Sequence, residues 1–85
     1  MRSWILTPDQ GMQLLDRASR YRGDLLRQLL TQCLLAKRLR LSIVVQEHPD
    51  GRDMLFGFDG DYAMTAILRP RVTRHWLENE NIKEV

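Results

Sequence analysis

Along the first half of the chain, apolar residues recur at helical spacing. Leu14, Ala18, Tyr21, Leu25, Leu29, Ala36 and Leu39 fall on one stripe at 100° per residue, and Leu15, Leu26 and Cys33 widen it. Thr7-Pro8-Asp9-Gln10 supplies the start signal. Thr7 suits the N-cap, Pro8 the first helical position, Gln10 the third position of a capping box, and Asp9 the positive end of the dipole. Because the stripe keeps phase across Gly23, the pattern predicts one long helix over about residues 8–40. That helix would be about 50 Å long at 1.5 Å per residue. The alternative is two helices, the first ended by Gly23 and the second capped by Asp24.

From Ser42 the period changes to two. Ser42–Glu47 is rich in β-branched residues, His48-Pro49-Asp50-Gly51-Arg52 carries turn chemistry, and Asp53–Phe58 returns as a second strand. Asp59-Gly60 predicts a two-residue hairpin, and Tyr62–Leu68 a third strand stopped by Arg69-Pro70. A three-residue loop at Pro49–Gly51 would pair His48 with Arg52 and Val44 with Phe56. The second turn would pair Phe58 with Asp61 and Gly57 with Tyr62.

That register puts Ile43, Val45, Leu55, Tyr62, Met64, Ala66 and Leu68 on one face, to receive the long helix. Val44, Met54, Phe56, Phe58, Ala63 and Ile67 fall on the other, which is too apolar for a plain solvent face. It also sets Glu47 opposite Asp53, a like-charge pair. The expected class is α+β: a long N-terminal helix on a three-stranded antiparallel meander, then a short C-terminal helix or tail around Trp76 and Leu77, with residues 2–6 as a candidate edge strand.

Composition narrows the picture. Eighty-five residues make one domain, and a core this small is thin. A single cysteine, Cys33, excludes an internal disulfide and a four-thiolate metal site. The apolar run near the N-terminus is too short for a signal peptide, and no stretch approaches a membrane span, so a cytoplasmic protein with no membrane contact is expected.

The formal charge of +2 hides a split. Residues 1–41 carry eight Lys/Arg against three acids, a balance of +5, and residues 42–85 carry five against eight, a balance of −3. A molecule divided this way suits docking to anions or to a second copy of itself.

Candidate chemistry is sparse. Asp50, Asp53, Asp59 and Asp61 lie at two turns on opposite ends of the second strand and match no calcium loop, so they read as turn residues. Cys33 sits among leucines and reads as a small buried hydrophobe; His48 reads as a solvated loop residue and His75 as a packing or interface residue. Arg22-Gly23-Asp24 resembles the tripeptide of integrin ligands, but it lies inside a helical pattern, where chance accounts for it. No catalytic, metal or cofactor site follows, and no enzyme is expected.

Two surfaces remain. Met54, Phe56 and Phe58, joined by Trp76, would form an aromatic and methionine patch for a partner unless the C-terminal segment covers it. Arg17, Arg20, Arg27, Lys37 and Arg38 would form a basic helix face for anions or nucleic acid, unless it is only solvated. The leading expectation is a non-enzymatic protein-binding or regulatory module that self-associates, as a homodimer or with another protein. The alternative is a nucleic-acid-binding regulator that uses the basic helix face.

Overall fold

In the computed structural model, which describes residues 2–59 and 65–85, the elements run β1 (Ser3–Leu6), α1 (Pro8–Ala18), α2 (Asp24–Arg38), β2 (Ile43–Glu47), β3 (Met54–Phe58), β4 (Thr65–Leu68) and α3 (Pro70–Asn79). The four strands form one antiparallel sheet in the order β1-β2-β3-β4, so the class is α+β and the N-terminal residues do add an edge strand beside β2. Among the described residues no helix is long and apolar enough to cross a membrane.

The predicted start of α1 is present in full. The Gln10 amide N–H donates to Thr7 Oγ1 at 3.1 Å, and the Thr7 N–H donates to Gln10 Oε1 at 2.9 Å. The single long helix is not formed. Helix α1 stops at Ala18 because tertiary contacts take over its last turn. Ser19 is extended (φ −62°, ψ 137°), fully buried and bridged to Leu68, and the Ala18 carbonyl accepts the Arg69 N–H at 2.8 Å. Gly23 then turns the chain at φ +67°, ψ −134°, a conformation that side chains disfavour. The two helices fold back on each other, each with its own apolar stripe, and the phase match across Gly23 is incidental.

Helix α2 ends in a Schellman motif with Arg40 in the left-handed position (φ 58°). The Leu41 N–H donates to the Ala36 carbonyl at 2.9 Å and the Arg40 N–H to Lys37 O at 3.2 Å. Helix α3 closes the same way, with Asn81 at φ 54° and the Ile82 N–H on Leu77 O at 3.0 Å.

The strand register is one residue away from the expected one. Ile43 pairs with Phe58, Val45 with Phe56 and Glu47 with Met54. The cause lies in the turn. Gly51 donates to the His48 carbonyl at 2.9 Å with φ +74°, and the Asp50 carboxylate takes the Arg52 N–H at 2.9 Å. Arg52 therefore belongs to the loop, and the ladder resumes with the His48 N–H on the Asp53 carbonyl at 3.0 Å. A one-residue slip exchanges the two faces of the returning strand. Gly57 pairs with Thr65 rather than Tyr62, which a two-residue turn at Asp59–Gly60 does not give; that turn itself lies outside the described residues.

The core gathers Trp4, Leu6, Ile43, Val45, Met54, Phe56, Phe58 and Leu68 from the sheet with Leu14, Leu15, Ala18, Leu29, Cys33, Ala36, Trp76 and Leu77 from the helices. Helix α1 lies directly on the sheet, and α2 and α3 both pack against it. Gly11 permits the close seat: a Cβ there would stand 2.8 Å from Ile43 Cγ1 and 3.2 Å from Phe56 Cζ. Among the described residues, the opposite sheet face carries no such core. Val44, Gln46, Leu55 and Gly57 are half-buried there, and Ile5 is exposed.

Candidate functional site: the outer face of helix α2

Of the four residues expected to form a partner patch, none is at the surface. Met54 and Phe56 are fully buried, Phe58 is 7% exposed and Trp76 5%, and the Phe56 and Phe58 rings meet edge to face at 5.7 Å. They are core residues, turned inward by the register, and α3 brings Trp76 into the same core from the helical side. One signal was present in the chain. Met54, Phe56 and Phe58 are the bulkier alternate set of β3, with Leu55 and Gly57 between them.

The basic face is dispersed. The break at residues 19–23 parts Arg17 and Arg20 from Arg27, Lys37 and Arg38. Lys37 reaches across to Asp9 at the start of α1, with Nζ–Oδ1 3.1 Å. Arg20 holds Asp53 at 3.1 Å, and Arg27 holds Asp24 at 3.2 Å within α2. Arg17 and Arg38 are exposed and form no ion pair among the described residues. These exposed pairs are worth a few tenths of a kcal/mol to about 1 kcal/mol each, and they lower the positive potential the five side chains would otherwise share.

What the helical hairpin does expose is leucine. Leu29, Cys33 and Ala36 face α1 and are buried, but Leu25, Leu34 and Leu39 are 55%, 52% and 56% exposed. Leu25, Gln28, Gln32, Leu35 and Leu39 recur at intervals of three and four residues and form one seam along α2, with two polar positions in its middle and Leu34 off it. Asp24, Arg27, Gln28, Thr31 and Gln32 line a shallow groove beside that seam. The charges at the two ends of α2 are opposite: Asp24 opens the helix, and Lys37, Arg38 and Arg40 close it.

The other candidates are accounted for by the fold. Cys33 lies 0% exposed, and burial pushes its thiol up to about 12, the reverse of what a nucleophile needs. The Asp50 carboxyl is held below its usual range by the Arg52 N–H and by His48, whose Nδ1 stands 2.8 Å from Asp50 Oδ1. Asp53 is engaged by Arg20, and Asp59 is exposed, while Asp61 lies outside the described residues. Among the described residues no three His, Cys, Asp or Glu side chains gather where a metal ion would need them. His75 is exposed on α3 beside Asn79, with 3.2 Å between Nε2 and Nδ2.

A cavity of about 190 Å³ lies between β1 and α3, lined by Arg2, Trp4, Arg74, Leu77, Glu78, Ile82 and Glu84. Its charges compensate one another. Arg2 contacts Glu84 at 2.8 Å, its guanidinium sits over the Trp4 ring at 5.1 Å, and Glu47 receives Arg74 at 3.2 Å and Arg2 at 3.5 Å. Glu47, expected to face Asp53, is thus satisfied by two arginines.

No protein-family model matches the chain, and neither a curated protein nor a solved structure matches it.

Proposed function

We propose that this protein is a small non-enzymatic protein-binding module, regulatory in kind, that works by associating with a second copy of itself through the outer face of α2. The observation that carries the reading is the exposure of Leu25 and Leu39, each more than half open to water on one side of α2 and its cap. A chain of 85 residues has little core to spare, and leaving these two large aliphatic side chains in water forgoes burial that a partner supplies.

A second copy is the occupant that the leucines favour. In an antiparallel pairing centred on Gln32, residue i faces residue 64 − i. Leu25 then meets Leu39 of the second copy, Gln32 meets itself and Asp24 meets Arg40, while Arg27 and Lys37, which also come opposite, are each paired within their own chain with Asp24 and Asp9. The helix dipoles also oppose. A single seam about 22 Å long is small, so the dimer is a weak one, with a Kd on the order of micromolar.

The test is sedimentation velocity from about 1 to about 100 µM, spanning that Kd. The wild type is expected to pass from monomer to dimer, and Leu25→Glu with Leu39→Glu to stay monomeric while keeping the wild-type circular dichroism. A strict monomer at every concentration overturns the reading.

A further inference from the structure

The break in the first helix has a second effect: it brings together arginines that the sequence keeps far apart. Ser19 is bridged to Leu68, the Arg69 N–H donates to the Ala18 carbonyl at 2.8 Å, and Arg20 reaches Asp53 at 3.1 Å. The end of α1, the start of β3 and the start of α3 therefore meet at one corner. Arg17, Arg20 and Arg22 come to it from the first segment, and Arg69 and Arg71 from the last. All five are exposed, and only Arg20 forms an ion pair among the described residues.

The first turn of α3 reinforces the corner. It has no acidic residue and no side-chain cap, and Arg69 and Arg71 stand where the dipole is already positive. Nothing in the packing requires arginine there. The buried residues of α3 are Thr73, Trp76 and Leu77, and Arg69 meets its neighbours through its backbone N–H and carbonyl. Like charges gathered at the wrong end of a helix, on a hydrogen-bonded junction, suit a polyanion.

We infer that this arginine corner binds the phosphodiester backbone of nucleic acid. Arginine forks match phosphate oxygens, and several segments contribute them, as tracking a backbone requires. Tyr21 stands between Arg20 and Arg22, half-buried, with its N–H fixed on Ser19 Oγ at 3.0 Å. Its ring packs against the core, so only its open side is available to a base, a contact that a lipid headgroup does not use. The inference does not depend on self-association.

The test is fluorescence anisotropy with a labelled single strand and a labelled duplex, at about 50 and about 200 mM salt. Three to four phosphate contacts predict that raising the salt weakens binding about 20- to 50-fold on the single strand and about 40- to 150-fold on the duplex. Arg69→Gln with Arg71→Gln is expected to abolish most low-salt binding and to lower the salt slope by about two. Arg27→Gln with Arg38→Gln, on α2 and outside the corner, is the control and is expected to bind as wild type. Val72, 39% exposed on α3, is the reason for a third arm with vesicles of phosphatidylcholine and phosphatidylserine. The inference is overturned by no binding to either nucleic acid at the lower salt, by equal loss in the control variant, or by binding to vesicles alone.

Discussion

Gly11 is where the seat of α1 on the sheet can be tested with a single methyl group. In an exposed helix, Gly→Ala stabilises by about 1 kcal/mol. At this position the new Cβ would lie 2.8 Å from Ile43 Cγ1, 3.2 Å from Phe56 Cζ and 3.4 Å from Ile43 Cγ2. Neither neighbour yields easily. Ile43 is β-branched, on a central strand and fully buried, and the buried Phe56 ring is wedged against Phe58. Overpacking of this kind costs about 1–3 kcal/mol, so after the helix-propensity gain Gly11→Ala is expected to destabilise by about 1 kcal/mol.

Ile43→Ala alone should cost about 2–5 kcal/mol through the cavity it leaves. In that background the methyl group added by Gly11→Ala enters the vacated space, and the same substitution should stabilise by about 1 kcal/mol. The predicted coupling is therefore about 2 kcal/mol, large enough for a double-mutant cycle to resolve. Urea unfolding followed by tryptophan fluorescence suits the measurement, because Trp4 and Trp76 are both buried. If Gly11→Ala raised wild-type stability by about 1 kcal/mol and the coupling were zero, α1 would not lie on β2 and β3 at the distance described, and the packing argument would fail.

Two further predictions concern single residues. Arg40 occupies the left-handed position of a Schellman motif at φ 58°, so Arg40→Gly should raise stability by about 1 kcal/mol in thermal unfolding; an unchanged or lower midpoint would count against that helix end. The Cys33 thiol, held protonated to about 12 in the folded chain, ionises near its ordinary value when unfolded. Between those values the unfolded state binds fewer protons, so stability falls as pH rises, by about 1.4 kcal/mol per pH unit. Cys33→Ala should lack this component, and stability curves for the two proteins that stayed parallel above about pH 9 would refute the assignment.

Local signals in the sequence read well, and those that depend on tertiary partners do not. The capping box at Thr7 and Gln10 is a contact between residues three apart, and it forms as the letters imply. The α+β class follows from the change of period near Ser42, and the edge strand at Ser3–Leu6 from its short apolar run. The end of α1 at Ala18 is settled by Leu68 and Arg69, far along the chain, and no local pattern announces it. The register goes with the conformation of the turn, where Gly51 bonds to His48 and the Arg52 N–H to Asp50, and with it Phe56 faces the core.

The candidate surfaces moved for the same reasons. Lys37 and Asp9 are 28 positions apart and Arg20 and Asp53 are 33 apart, so their pairing, which breaks up the basic face, is visible only in the fold. The leucines of α2 look like core in the sequence. Only the hairpin, which offers α2 a neighbour on one side, leaves Leu25 and Leu39 of the predicted stripe outside.

The pairing of α2 with α2 is tested most directly by a cysteine at its centre. Gln32 lies on the proposed two-fold axis, so Gln32→Cys would place two thiols within disulfide reach in the dimer. Under mild oxidation at a concentration above the Kd, the variant should convert to a covalent dimer, while the wild type, whose Cys33 is buried, should not. A noncovalent dimer that fails to cross-link through the introduced thiols would place the interface elsewhere, and a variant that stays monomeric under both conditions would contradict self-association itself.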